Sequence, residues 1–183
     1  MGCAFATSLE VRAFAIIRAA MTLYTVGHSN AEIGAFLDLL RRHAIDLLVD
    51  TRSQPYSRYS PHFSRESLKL ALAEAGIAYV FLGVQLGGRP AESTYYLSNG
   101  KVDYERLADA PFYLAGIEQL IGLAEECRVA YMCSEADYKH CHRYWLITRT
   151  LVGRGIEVQH ILHSGEAIAS TAAEFESEQP SLF

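Results

Sequence analysis

Two hydrophobic periods alternate along the chain, and their order predicts the fold. Met21–Gly27 is rich in apolar and β-favouring residues and reads as a strand, ended by Gly27, His28 and Ser29. Apolar positions then recur at Ile33, Phe36, Leu37 and Leu40, a helical stripe that runs to about His43; Ser29 and Glu32 have capping-box spacing before it. Asp46–Val49 is a second, continuous apolar strand that runs into Asp50, Thr51, Arg52 and Ser53. Ser64–Ala75 is a helix with Leu68, Ala71, Leu72 and Ala75 on one face and Gly76 as its stop. Ile77–Leu82 is the third strand, and Gly83–Ala110 reads as a long loop-like connection. Pro111 opens a helix that aligns Leu114, Ile117, Ile121 and Ala124. Arg128–Met132 is the fourth strand, Asp137–Val152 the next helix and Glu157–Leu162 the fifth strand.

Strands that are apolar throughout, separated by helices, imply a parallel sheet covered on both faces. We therefore expect a Rossmann-like α/β domain over residues 21–163, with about five mostly parallel strands and helices on both faces. Ligands in such sheets bind beyond the carboxyl ends of the strands. Those ends here carry His28, Asp50, Arg52, Gln85, Cys133, Glu135 and His163. Residues 1–20 read as a short amphipathic helical extension: Thr7 and Glu10 have capping-box spacing, and Leu9, Ala13, Ile16, Ile17 and Ala20 share a face. The apolar run there is too short to span a bilayer. Residues 164–183, rich in Ser, Ala and Glu and lacking Lys and Arg, read as a flexible tail.

Composition narrows the partners. A net charge of −5 argues against broad nucleic-acid binding but leaves room for a local basic cleft. Four cysteines in 183 residues are too sparse for a disulfide scaffold, so reduced thiols in the cytoplasm are expected. The glycine signatures of dinucleotide and Walker-type phosphate sites are missing, as is the Gly-x-Ser-x-Gly nucleophile turn. No membrane partner, cofactor or metal is expected, and the sequence is silent on oligomeric state.

Four segments carry candidate chemistry. His28 can place an imidazole at the mouth of the sheet. Arg52–Arg65 has three arginines and no acid, interleaved with Tyr56, Tyr59 and Phe63; Arg52, Ser53 and Arg58 are candidates for holding a phosphate or carboxylate. Gly87 and Gly88 let backbone N–H groups approach a ligand, with Arg89 as a further anion contact. The stretch from Cys133 to Arg143 holds Glu135, Asp137, His140, Cys141 and His142 at a strand-to-helix passage. Several readings of it stand side by side. Cys133 can be a nucleophile, its thiol acidified by the helix terminus. Cys133, Cys141 and His142, with His140 as a further candidate, can bind zinc, although their spacing fits no standard finger. Glu135 or Asp137 can act as acid or base while His142 and Arg143 orient an anion. Cys141 precedes Trp145 by four residues, so packing beneath that ring is its simplest role.

Taken together, Tyr24–Asn30, the Asp50-x-Arg52-Ser53-x-Pro55-x-Ser57-Arg58 run, Leu86–Gly88 and the Cys133, Glu135 and Cys141–Arg143 set resemble the domain-of-unknown-function DUF488 family over about Leu23 to Leu162. The resemblance implies a cytosolic Rossmann-like α/β domain and no particular activity. A looser similarity links the cysteine-histidine signature to the nucleoside deoxyribosyltransferase-like group. Tyr138 departs from the family pattern, where proline is common at the helix start, and leaves that helix boundary open. The expected function is an enzyme acting on a small anionic, phosphate-bearing, nucleotide-like or nucleic-acid-derived ligand. Arg52, Arg58 and Arg143 hold the anion in this reading, and Glu135 does acid–base or nucleophilic work near His28. The alternatives are a Cys133-dependent thiol enzyme, for sulfur transfer or hydrolysis, and a non-catalytic nucleotide or modified-base sensor.

Overall fold

The computed structural model describes residues 21–177; the expected helix within residues 1–20 and the end of the chain after Ser177 lie outside the described residues. Six strands form one sheet in the order β3-β2-β4-β1-β5-β6. These are β1 (Thr22–Gly27), β2 (Leu47–Asp50), β3 (Ala78–Phe81), β4 (Val129–Cys133), β5 (Glu157–Ile161) and β6 (Ala167–Ser170). The first five pair in parallel, and β6 joins β5 antiparallel.

Alternate side chains of each strand feed two cores, which is why the strands read as continuous apolar runs. On one face, Val26, Leu48, Ala130 and Met132 pack against Phe36 and Leu40 of α1 (Ile33–Arg42) and Leu68 and Leu72 of α2 (Arg65–Glu74). On the other, Leu23, Val49, Val129, Tyr131 and Val158 meet Leu86 of α3 (Gly83–Leu86), Leu107 of α4 (Tyr104–Ala108) and Ile117 and Leu120 of α5 (Pro111–Glu126). Leu151 of α6 (Arg149–Gly153) completes this second core. Thus an α/β sheet covered on both faces is found as expected.

Four local expectations are corrected. The connection from Gly83 to Ala110 is not loop-like: it holds α3, α4, a 3-10 turn at Ser93–Tyr95 and a bridge between Tyr96 and Val102. Ser29 does not cap α1. The cap position is Glu32, without a side-chain bond, while Ser29 takes a left-handed φ of 47°. The helix expected from Asp137 is broken at its start. Asp137 accepts from the Lys139 N–H to close a 3-10 turn at Tyr138–His140, Cys141 is extended, and a π-helical turn at Arg143–Thr148 leads into α6.

The fourth correction concerns the segment after Ser164. His163, Ser164 and Gly165 turn the chain, Gly165 supplying a left-handed φ of 90°, and β6 returns along β5. Then α7 (Ala172–Ser177) packs Phe175 on Tyr144, with ring centroids 4.7 Å apart, and Glu174 accepts from the Tyr144 hydroxyl at 3.0 Å. The described part of the expected tail is therefore built into the domain.

Candidate functional site

At the carboxyl ends of the central strands the chain parts in two directions. β1 and β2 lead to helices on one face, whereas β4, which lies between them, leads to the π-helical turn and α6 on the other. Divergence of neighbouring strand ends opens a crevice, the usual ligand position in such sheets. Gly27 makes the crevice tight. A Cβ there would run into the Glu135 carbonyl, so only glycine lets the Ser134–Glu135 turn lie on the end of β1. The Ser29 N–H donates to the Ser134 carbonyl at 2.7 Å, and the His28 N–H to the Cys133 carbonyl at 3.2 Å.

The crevice is an open polar cleft of about 350 Å³, and Cys133, Glu135, Cys141 and His142 line it. The two thiols lie between the Glu135 carboxylate and the His142 imidazole and contact both. The Cys133 and Cys141 thiols lie 2.9 Å and 3.2 Å from the same carboxylate oxygen of Glu135, Oε2. Nδ1 of His142 is 3.5 Å from Cys133 Sγ and 3.7 Å from Cys141 Sγ. Its other nitrogen, Nε2, lies 3.2 Å from the Thr51 carbonyl. A carbonyl can only accept, so Nε2 carries the proton of the neutral ring and the Nδ1 lone pair faces the two sulfurs. Gly88 packs flat on this imidazole: an added Cβ would come within 2.6 Å of His142 Cγ.

Burial and mutual contact shift the acidities. The hydrogen bond from Cys141 holds the Cys133 thiol well below its ordinary value, against the opposing effect of burial, and His142 adds to the lowering. Burial, then the neighbouring Cys133, pushes Cys141 well up. Burial alone would lower His142, but the Cys133 thiolate outweighs it and the net direction is upward.

The arginines divide. Arg52 lines the cleft but is tied down by Asp50, to whose carboxylate it donates from Nε at 2.9 Å and Nη2 at 2.7 Å; the Tyr79 hydroxyl adds a bond of 2.9 Å. Its Nη1 lies 3.1 Å from His28 Nε2. His28, stacked on Phe63 at 4.2 Å and bonded through Nδ1 to the Ser29 carbonyl, is depressed to about 4 by burial and by Arg52. It stands behind Arg52, away from the cleft lining, and acts as that side chain's acceptor. Arg143 is 1% exposed and faces the turn: Nη1 donates to the Glu135 carbonyl at 2.6 Å and Nη2 to Ala136 at 3.0 Å. Arg58 is exposed and lies outside the cleft lining. Arg89 is exposed at the rim, and its backbone N–H donates to Ser53 Oγ at 2.9 Å. Gly87 packs against Ser53, where an added Cβ would collide with the hydroxyl.

The fold thus gathers Cys133, Glu135, His142, Arg52, Ser53, Gly88 and Arg89 around one cleft, and leaves His28, Arg58 and Arg143 off its walls. Thr51, whose carbonyl holds His142, carries no sequence signal, and Cys141 has two readings in the sequence, as a zinc ligand and as packing under Trp145. The packing reading of Cys141 needs a continuous helix; the break before it turns its sulfur toward Glu135 instead. A profile of the family described as domain of unknown function DUF488 matches residues 32–150, from just before α1 into α6, a stretch that includes the whole cluster. No curated protein and no solved structure matches the chain. No helix among the described residues is long and apolar enough to cross a membrane. With more than half of its length matched, the chain belongs to the DUF488 family.

Proposed function

We propose that the protein is an enzyme acting on a small phosphate-bearing, nucleotide-like ligand, with Cys133, Glu135, Cys141 and His142 as its reacting centre. One observation carries the reading: two thiols, an imidazole and a carboxylate meet at the floor of a polar cleft at the sheet's switch point. The cleft volume falls in the range of small-molecule sites. Arg89 at the rim suits an anion, and Arg52 keeps donors beyond its bonds to Asp50 and His28. Tyr56 and Tyr104 add aromatic surface to the walls. Glu135, exposed and held by the thiols, is the acid–base candidate.

The test is a thermal-stabilisation screen of inorganic phosphate, nucleotides and nucleosides, followed by calorimetry. Arg89→Ala should weaken phosphate-bearing ligands by about 1.5–3 kcal/mol and leave the melting temperature of the free protein unchanged. Cys133→Ser should keep binding and lose turnover. Equal binding by wild type and Arg89→Ala across the screen would sink the phosphate reading.

The approach of Cys133 Sγ to His142 Nδ1 also favours a second reading, a thiol enzyme in which Cys133 is a free nucleophile paired with its imidazole. Its signature is fast iodoacetamide alkylation of Cys133, slowed in His142→Ala; equal rates in the two proteins would remove it.

A further inference from the structure

We infer that Cys133, Cys141 and His142 bind a zinc-class divalent ion, with a fourth coordination position open to the cleft beside Glu135. Among the described residues, these three form a group of buried potential ligands whose donor atoms all lie within 4.8 Å of one another. The two nitrogen–sulfur spacings match the edges of a tetrahedral site. Zinc bonds of about 2.3 Å to sulfur and 2.0–2.1 Å to nitrogen place sulfur and nitrogen roughly 3.5 Å apart across a tetrahedron edge. His142 Nδ1 lies 3.5 Å and 3.7 Å from the two sulfurs.

The surroundings match as well. A metal-bound histidine normally donates its second N–H to a fixed acceptor, which orients the ring. The Thr51 carbonyl does this for His142. The Arg143 backbone N–H donates to Cys141 Sγ at 3.5 Å, a further support for a thiolate. Two sulfurs and an imidazole select zinc over magnesium or calcium, which prefer oxygen. Three protein ligands with an open fourth position is the pattern of a catalytic site, whereas structural zinc is closed by four. Glu135 sits at the open side, its Oε2 against both sulfurs, and is placed to take a proton from a water in that position. Binding is balanced by loss of two protons to solvent from the two thiols and the imidazole, which leaves two thiolates and a neutral ring. The ligand spacing matches no finger because the donors come from a strand end and a helix entry, with a 3-10 turn between them.

This inference deepens the proposed function, since it names the ion of the same centre, but it is read without any substrate. Full-length protein is reduced, stripped with chelator and titrated with zinc and with cobalt, and metal content is measured by elemental analysis. We expect about one equivalent of metal and the intense visible absorption of thiolate-bound tetrahedral cobalt. Cys133→Ser, Cys141→Ser and His142→Ala should each lose affinity on the order of tenfold or more, while Glu135→Gln retains the metal. Circular dichroism confirms that each variant is folded; where a thiol variant is not, the wild-type titration and Glu135→Gln decide. A folded, reduced wild-type protein that binds no metal, with Cys133 open to alkylation, overturns the inference and promotes the thiol reading. Metal binding unchanged in folded Cys133→Ser or His142→Ala overturns it too. Bound metal with no phosphate-bearing ligand in the screen leaves the ion assigned and removes the substrate class instead.

Discussion

Asp50 has no exposed surface, and it is charge-balanced by one residue two positions along the chain. Arg52 supplies its own backbone N–H, Nε and Nη2 to that carboxylate, so the pair is both ionic and bidentate. Replacing such a pair by apolar groups can be neutral, but removing one partner strands a buried charge. Arg52→Ala should therefore destabilise the fold by about 3–5 kcal/mol in urea unfolding; a variant as stable as wild type would show that the guanidinium is held for ligand alone. Arg143→Ala strips donors from two carbonyls of the Ser134–Ala136 turn and should cost about 1–3 kcal/mol by the same measurement. The sequence made these arginines look like free anion clamps because no acid follows Arg52 before Glu66. Asp50 stands two residues before Arg52, but the sequence shows neither that their side chains pair nor that the partners of Arg143 are backbone atoms, which have no residue letter.

The passage from β4 to α6 decides where the cluster points. A regular helix from Asp137 would send Cys141 toward Trp145, as its spacing suggests. The π-helical turn instead ties Thr148 Oγ1 to the Arg143 carbonyl at 2.7 Å, five residues back, and Tyr131 shares the same hydroxyl at 2.6 Å. Thr148→Val keeps the shape and removes both bonds, so it should cost about 1–3 kcal/mol and slow Cys133 alkylation by misplacing His142. An unchanged stability and alkylation rate would show that the turn holds without that hydroxyl. Apolar periodicity cannot reveal such a turn, since one extra residue per turn hardly alters a short stripe. The hairpin to β6 was legible in principle: Ser164-Gly165 is a turn signal after a strand, but the following Ala-Ile-Ala-Ser has one strong β-former and was outweighed by tail-like composition. Truncation after Ser164 should lower the melting temperature markedly, because it bares the edge of β5 and removes Ser170 and Glu174 as partners of His160 and Tyr144. A truncated protein that melts with wild type would mean that β6 and α7 contribute nothing to the core.

At the scale of the whole molecule, the order of elements is the most legible feature, since the central strands β1, β2 and β4 are buried on both faces and read as apolar runs. Convergence of strand ends followed from topology alone, and with it the location of the cleft. Burial of two imidazoles did not, because a histidine's surroundings are set by elements far apart in sequence. His28 lies between Phe63 and Arg52, and His160 is stacked on Tyr138 at 3.8 Å and bonded to Thr25 and Ser170. Burial and Arg52 hold His28 at about 4, while burial, Arg143 and Lys139 hold His160 at about 3. In the unfolded chain both titrate near 6.5, so below that pH the unfolded state binds more protons and gains relative to the fold. Stability should be insensitive to these groups above about pH 6.5 and fall as pH drops from there toward 4. The slope from each imidazole is on the order of 1.4 kcal/mol per pH unit. His142 has the opposite sign: its raised value contributes stability at low pH that is lost as pH rises through it, so it cannot produce the acid fall. Urea unfolding across pH 4–7 in wild type, His28→Asn and His160→Gln separates these effects. Each variant should lose about half of the imidazole-dependent slope, whatever its stability at neutral pH; slopes that match wild type in both would mean that these rings accept protons inside the folded protein and that their packing is looser than their contacts require.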